Sequence, residues 1–298
     1  MSIHIVPTNF QTVQAAIDDP GTMPGDSIQI LAGTFDGFNV TKERLKIFGC
    51  GIGKTVISGE PGTGSNGIGV TADQTYLKGF TVQGYASGSG IFVFTSNNVI
   101  EGVKASFNVN GIFVDVEDNL ITNCEASFNS RSGFGFDGGQ NCLSHCICIQ
   151  NERGIRSFGG NILLNNSIVN NIEDGIELFN DFDKAFGNKI LKNGSNGISN
   201  NSDSTTIIGN LICNNVDSGI NVGDNQFNVI DENIVRNNGT DDNDAGILVP
   251  SAAEDNIIRF NKAKNNNTVD IRAEAPAIDN NTFDGNICEL SAPTEICE

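Results

Sequence analysis

Four charged residues stand at nearly regular intervals through the middle of the sequence: Asp115, Asp137, Arg156 and Glu177. Aromatic residues keep the same interval. One offset reads Phe92, Phe113, Gly135, Arg156, Glu177, Ser199, Asn221, Leu248, and the offset two residues on reads Phe94, Asp115, Asp137, Phe158, Phe179, Asn201, Gly223, Pro250. If the intervals stack in space, five Phe rings share one face with a cluster of charges. Aromatic faces stack on pyranose rings, and carboxylates handle protons or Ca²⁺. Asp115 and Asp137 would then lie about 5 Å apart. That separation suits a shared cation, a shared proton or a retaining glycosidase pair. The expectation is a sugar-binding groove. Asp115, Asp137, Arg156 and Glu177 would be its catalytic groups, and Asp115 with Asp137 would be the ligands of any calcium. Phe113, Phe158, Phe179, Asp181, Asp183 and Asn201 would contact substrate. The same residues also fit a subunit interface with charges at its rim, which would make the protein a homo-oligomer.

The elements that must position these residues follow from a repeat. A Gly followed by an apolar residue recurs at Gly67, Gly90, Gly111, Gly133, Gly154, Gly175, Gly197, Gly219 and Gly246. A fixed period of this length marks a solenoid. Within each block, pairs such as Ile112 and Val114 or Phe134 and Phe136 alternate with period two, so the units are strands. Each block holds about three short apolar runs separated by Asn, Gly, Ser or Asp. Leu is too sparse for leucine-rich repeats. The fold class expected is all-β, a single-stranded right-handed parallel β-helix of about ten coils with three strands per coil.

A column containing Asn166, Asn193, Asn210, Asn233, Asn261 and Asn286 suggests an inward amide ladder. Its earlier members are Val103, Cys124 and Cys146. A second inward column holds Ala105, Ala126, Cys148, Ile168, Val235, Ala263 and Cys288.

With 298 residues, 35 of them Gly and none Trp, the chain suits one elongated stack. Its net charge of −19 argues against nucleic acid and anionic membranes as partners. It allows neutral or cationic ligands, or anionic polymers bridged by Ca²⁺. No apolar run reaches the length of a membrane span. MSIHIVPTNF lacks the features of a Sec signal, so the expected location is cytoplasmic, or the surface by a non-Sec route. Cys142, Cys146 and Cys148 with His145 resemble a metal cluster, but alternation sends Cys142 and Cys146 to different points of the coil. Cys124, Cys146 and Cys148 are therefore read as buried core, and Cys288 with Cys297 would bridge the tail.

One domain is expected. Residues 1–60 form an N-terminal cap and first coils, 61–272 the regular coils, and 273–298 a last coil and tail. Residues 9–18 read as a capping helix that starts at Thr8 or Asn9 and stops before Pro20. Two coils look stretched, one by FNDFDKAF at 179–186 and one by GTDDND at 239–244. Such loops are where a scaffold of this kind carries function.

The order Phe10-x-x-Val-Gln-Ala-Ala-Ile17, Gly25-Asp-x-Ile-x-Ile-x-x-Gly-x-Phe35 and Leu45-x-Ile-x-Gly-x-Gly51 resembles the N-terminal region of pectate-lyase-like β-helix proteins. The likeness continues through the repeats. It implies the fold and a polysaccharide or oligosaccharide partner, and leaves the activity open among lyases, hydrolases, epimerases and structural proteins. In a lyase, Asp115, Asp137 and Glu177 would hold Ca²⁺ on a uronate while Arg156 acts as base; the Arg-x-Pro-x-x-Arg signature is absent. In a hydrolase the acids would act alone, without the Gly-His-Gly and Asn-Thr-Asp signatures of polygalacturonases. In an epimerase, Asp137-Gly-Gly would stand where alginate epimerases carry Asp-Pro-His-Asp. The alternative is a non-catalytic spore-coat, phage-tail or adhesin-like protein that uses the same face for binding.

Overall fold

Alternating apolar residues in runs of three or four are too short to bury themselves as hairpins, and here they pair with the equivalent run one repeat later. The computed structural model describes residues 1–59 and 66–298. The expected cap boundary at residue 60 lies outside the described residues. The chain divides into two compact units, Met1–Asn151 and Glu152–Glu298, each built of the same coil.

In the first unit one coil consists of Ile91–Val93, Val99–Glu101 and Lys104–Ser106. These pair in parallel with Ile112–Val114, Leu120–Thr122 and Glu125–Ser127, with Ile91 opposite Ile112, Val99 opposite Leu120 and Lys104 opposite Glu125. In the second unit, Ile176–Phe179, Lys184–Phe186 and Lys189–Leu191 pair in the same way with Ile198–Asn201, Thr206–Ile208 and Leu211–Cys213. Because side chains alternate across a strand, one set from each strand is buried. Ile91, Val93, Ile100, Ala105, Ile112, Val114, Ile121 and Ala126 fill the first unit, and Ile176, Leu178, Ala185, Ile190, Ile198, Ile207 and Ile212 the second. Cys124, Cys146 and Cys148 are buried among them; burial pushes the Cys146 and Cys148 thiols far up. Cys142 precedes the inward Leu143 and is partly exposed. Thirteen strands occupy the position of Val99–Glu101 among the described residues, against about ten coils expected. The terminal coils lack the Gly-Ile opening, so the repeat undercounts them.

Each corner turns by the same device. A residue in the left-handed region is followed by one that points inward, as in Asn97 (φ 62°) before Asn98 or Asn165 (φ 54°) before Asn166. The inward Asn side chain then satisfies main-chain groups that no strand can reach. Asn98 donates from its main-chain and side-chain nitrogens to Asn119 Oδ1 at 2.9 and 3.0 Å, and Asn119 to Asn141 Oδ1 at 2.9 and 3.2 Å. A second ladder runs through Asn108, Asn129 and Asn151.

In the second unit one ladder is Asn166, Asn188, Asn210, Asn233, Asn261 and Asn286. Asn193 is not in it. It belongs to another ladder with Asn171, Asn215, Asn238 and Asn266. The sequence reading merged two corners that both end in Asn.

At the N-terminus the helix is Val13–Asp18, capped by Thr12, whose Oγ1 accepts from Ala15 N at 3.1 Å. The expected start at Thr8 or Asn9 fails because Asn9 Oδ1 accepts from Ile5 N at 2.8 Å in a separate turn. Val13, Ala16 and Ile17 are buried against the first strands. His4 sits nearby, 3.3 Å from Asp26. At the other end, Cys288 and Cys297 are disulfide-bonded across a Cα separation of 5.7 Å. FNDFDKAF is not stretched. It is the end of one strand, a four-residue turn at 180–183, and the strand Lys184–Phe186, matching the turn at 202–205 one coil on. GTDDND is a genuine long turn, between Ile234–Arg236 and Ala245–Val249, closed by Asp244 Oδ2 accepting from Thr240 N and Asp241 N at 3.0 and 2.9 Å.

Candidate functional site

The strands that open with Gly-Ile turn outward the residue after the Ile and the one two further on, and pairing fixes which side chains become neighbours. In the first unit Phe92 lies opposite Gly69 on one side and Phe113 on the other, and Phe113 lies opposite Gly135. The Phe113 ring spreads over Gly135: a Cβ there would fall 2.7 Å from Phe113 Cδ2, so only glycine leaves that room. Phe92 stacks on Phe94 at 4.0 Å between centroids and meets Phe113 at 5.1 Å. Phe94 is 43% exposed. Asp115 N donates to Val93 O at 3.0 Å and Asp137 N to Val114 O at 2.9 Å. These bonds set Asp115 beside Phe94 and Asp137 beside Asp115 on successive strands, about 4.8 Å apart in the stack. Both carboxylates are exposed.

Phe94 also borders a cavity of about 710 Å³ above the first Gly-Ile strands, whose lining includes Asp36, Asn39, Asn66, Thr71 and Tyr85. Tyr85 is 3% exposed, with its hydroxyl packed against the main chain of Gly37. Its ring fills the space left by three glycines: a Cβ on Gly37, Gly59 or Gly67 would come within 2.8 Å of it. Burial, and then the nearby Asp36 carboxylate, pushes the Tyr85 hydroxyl up to about 12, opposed by a hydrogen bond with the Gly37 main chain, so it stays neutral. Gln14 fixes the rim, its Oε1 accepting from Asn39 N at 2.8 Å and its Nε2 donating to Asp18 Oδ1 at 2.9 Å. Sequence reading missed this cavity because it lies over irregular first coils. The only signal was Tyr85, one of two tyrosines.

The second unit carries the other expected residues, and there they engage one another. Phe158 and Phe179 stack at 4.9 Å, with the Arg156 guanidinium 4.6 and 5.2 Å from their centroids. Arg156 Nε is 3.7 Å from Glu177 Oε2, and Arg153 Nε donates to Glu177 Oε1 at 3.1 Å. Arg153 also pairs with Glu152 at 2.8 Å and with Glu173. Burial raises the Glu177 carboxyl, opposed by the charge of Arg153. Asp181 is exposed and accepts from Asp203 N at 3.1 Å. Asn201 is exposed and donates to Ser199 Oγ at 3.2 Å.

Asp183, expected on a loop wall in contact with substrate, is fully buried. Its Oδ1 accepts from Ser157 Oγ at 3.0 Å and Asn161 N at 2.8 Å, and Oδ2 has no partner among the described residues. Burial raises its carboxyl to about 7. The preceding residue, Phe182, takes the left-handed turn conformation (φ 74°) and is itself exposed. Asp183 therefore occupies a ladder slot. The spacing Asn161, Asp183, Thr205 was the available signal.

Asp115 and Asp137 remain the residues that could hold a cation. No group of three or more His, Cys, Asp or Glu side chains is placed to share a metal among the described residues. A pair of carboxylates supplies only part of the six to eight oxygens that Ca²⁺ takes, so a bound glycan would have to supply more. No helix among the described residues is long and apolar enough to cross a membrane.

Residues 66–212 match the family described as the right handed beta helix region. This chain has the pectate-lyase-like right-handed parallel β-helix fold. Sequence comparison with curated proteins finds no match. Among solved structures the β-helix is similar to the A-modules of the Azotobacter vinelandii mannuronan C-5 epimerases AlgE4 and AlgE6. The first superposes with a TM-score of 0.80 at 16% identity over 94% of this chain and 91% of that one. For the second the values are 0.79, 17%, 94% and 90%. The pectate lyase Pel9A superposes with a TM-score of 0.55 at 17% identity, covering 98% of this chain and 78% of its own. At these identities the likeness is one of fold.

Proposed function

We propose that this protein is a carbohydrate-active β-helix that lays a polysaccharide along the outer face of the Gly-Ile strands in its first unit. The observation that carries the reading is the run of Phe92, Phe94 and Phe113 rings beside the paired, exposed Asp115 and Asp137. Rings held on a rigid sheet can stack on the apolar faces of sugars at little entropic cost. Similar folds in alginate epimerases and a pectate lyase support a polysaccharide as the ligand class. Of the reactions considered, hydrolysis fits best. Asp115 and Asp137 lie on adjacent strands about 4.8 Å apart, close to the spacing of a retaining pair, in which one carboxylate attacks the anomeric carbon and the other protonates the leaving oxygen. Lyase chemistry with Arg156 as base fits poorly, because its guanidinium is already held over two rings and beside Glu177.

The test is a screen of neutral polysaccharides and polyuronides for new reducing ends, for unsaturated product, and for retardation in affinity gels. New reducing ends that vanish in Asp115→Ala and Asp137→Ala establish the hydrolase. Unsaturated product establishes a lyase and moves the chemistry elsewhere. A second reading is binding without turnover, favoured by the openness of both carboxylates to solvent. It predicts gel retardation with no product.

A further inference from the structure

In the second unit the strands that precede the Gly-Ile strands carry a charge pattern of their own. They include Lys189–Leu191, Leu211–Cys213, Ile234–Arg236 and Lys262–Lys264. Their registers set Lys189 opposite Leu211, Ile234 opposite both Leu211 and Lys262, and Arg236 opposite Lys264. Ile190, Ile212, Val235 and Ala263 are buried, so the residues beside them face out. Lys189, Arg236, Lys262 and Lys264 are exposed, and Lys192 is exposed at the corner that follows. Five of the 17 Lys and Arg residues thus share one strip of a chain whose net charge is −19. Among the described residues only Lys264 of the five has an acidic partner, Glu289 at 3.4 Å, and that pair is open to solvent.

The turns that lead from these strands to the next Gly-Ile strands carry the opposite charge. Asp174, Asp217, Asp241, Asp242 and Asp244 lie in them. Ser195 Oγ donates to Asp217 Oδ2 at 2.8 Å and Asn196 N to Asp174 Oδ1 at 2.8 Å, so successive turns stack. Burial raises the Asp217 carboxyl, the Ser195 hydroxyl opposes this, and the Asp244, Asp174 and Asp241 charges raise it further. Asp241 and Asp242 are exposed. Arg272 meets this turn at the Asp242 main-chain oxygen, 2.7 Å away. The corner residues between the two strips include the neutral Asn214 and Asn237. From Asn214 to Asp217 the chain reaches at most about 10 Å. A basic strip and an acidic strip therefore run side by side along the stack.

We propose that these two strips form the interface of a symmetric dimer of this chain, the basic strip of each copy lying on the acidic strip of the other. The occupant follows from charge, because a surface with both signs side by side is complementary to itself. A two-fold axis parallel to the stack and midway between the strips exchanges them, so opposite charges face each other twice. A two-fold axis across the stack would set like charge on like, so the second units of the two copies run parallel. The net charge of −19 is largely screened beyond about 8 Å at physiological salt, and the facing charges decide. Leu191, Leu211 and Ile234 add apolar area among the cations. Four short strands at a spacing of about 4.8 Å make a small face, so the dimer is a weak and reversible one.

Sedimentation equilibrium of the whole protein, over a concentration series into the high micromolar range at low and at high salt, tests this. Wild type should dimerise, about tenfold more weakly at high salt. Lys189→Glu with Lys262→Glu should leave a monomer, and so should Asp241→Lys with Asp242→Lys, each with an unchanged melting temperature because the positions are exposed. Mixing the two variants should restore dimers, each holding one copy of either kind, since every strip again meets its opposite. A variant that is merely damaged cannot give that rescue. The milder Lys189→Gln with Lys262→Gln should weaken the wild-type dimer several-fold and serves if a reversal misfolds.

A wild type that stays monomeric throughout the series overturns the proposal. So does a dimer that tightens with salt, or one that the Gln variant and both reversals retain, since each places the contact on another face. A monomer that instead binds polygalacturonate, and loses it in Lys189→Glu with Lys262→Glu, overturns the dimer and gives the basic strip to an anionic glycan.

Discussion

The two units use the same coil and the same outward positions, yet their Gly-Ile faces differ in kind. In the first, Phe92, Phe94 and Phe113 form a ring cluster with no cation over it among the described residues, and Asp115 and Asp137 are exposed. In the second, Phe158 and Phe179 are covered by the Arg156 guanidinium, and Glu177 is shared between Arg153 and Arg156. Aromatic rings and charges at the right offsets therefore do not make a site by themselves. What matters is whether a cation already covers the ring faces. An aromatic face that holds an arginine is unavailable to a sugar, whereas an uncovered one is available.

The contrast can be broken most sharply at the carboxylates. Asp137→Ala is expected to lower turnover on a responsive glycan by roughly a hundredfold or more, the scale of a lost acid or base. Its stability should stay within about 0.5 kcal/mol of wild type, as for an exposed substitution, measured by thermal unfolding. Glu177→Gln should leave turnover intact. Equal loss of turnover in both variants would erase the distinction between the units.

Asp183 should have the next largest effect, and on stability alone. Asp183→Ala removes the acceptor of both Ser157 Oγ and Asn161 N and is expected to cost about 3 kcal/mol in chemical denaturation. The pH dependence has a definite sign. Burial raises the folded-state carboxyl to about 7 from the ordinary 3.8, so between those values the folded chain binds more protons than the unfolded one. The contribution of Asp183 is present in full below about 4 and is lost as the pH rises toward 7, on the order of 1 kcal/mol per pH unit. Asp183→Asn should keep the ladder and flatten that slope. An unchanged slope would mean the carboxyl does not titrate where its burial implies.

Smaller effects sharpen the same contrast. Glu177→Gln should destabilise by about 1 kcal/mol, since it weakens a partly exposed ion-pair cluster. Phe113→Ala should weaken glycan binding several-fold while Phe179→Ala does not, read by titration. Least of all should happen at the buried thiols. Cys50, which is exposed, should label within minutes in the native protein, and Cys124, Cys146 and Cys148 should not.

The sequence by itself determined the coil. Period-two runs such as Ile112 and Val114 can bury one face only by pairing with a like run, and a fixed spacing of glycine and asparagine supplies that run each time. The inward cysteines, the parallel register and the Phe113, Asp115, Asp137 neighbourhood all follow from equal offsets becoming stacked positions. Offsets alone could not tell which corner a residue occupies. Asn193 was misplaced because two corners share the same composition, and Asp183 because FNDFDKAF reads as a stretched loop; only the left-handed residue before each turn shows which side chain goes inward. Nor could the sequence show engagement. Whether Arg156 meets a substrate or folds over Phe158 depends on side-chain directions set by neighbouring strands. The cavity around Tyr85 is the extreme case. Gly37, Gly59, Gly67 and Tyr85 are far apart in sequence and irregular in spacing, and only packing puts three missing side chains against one ring.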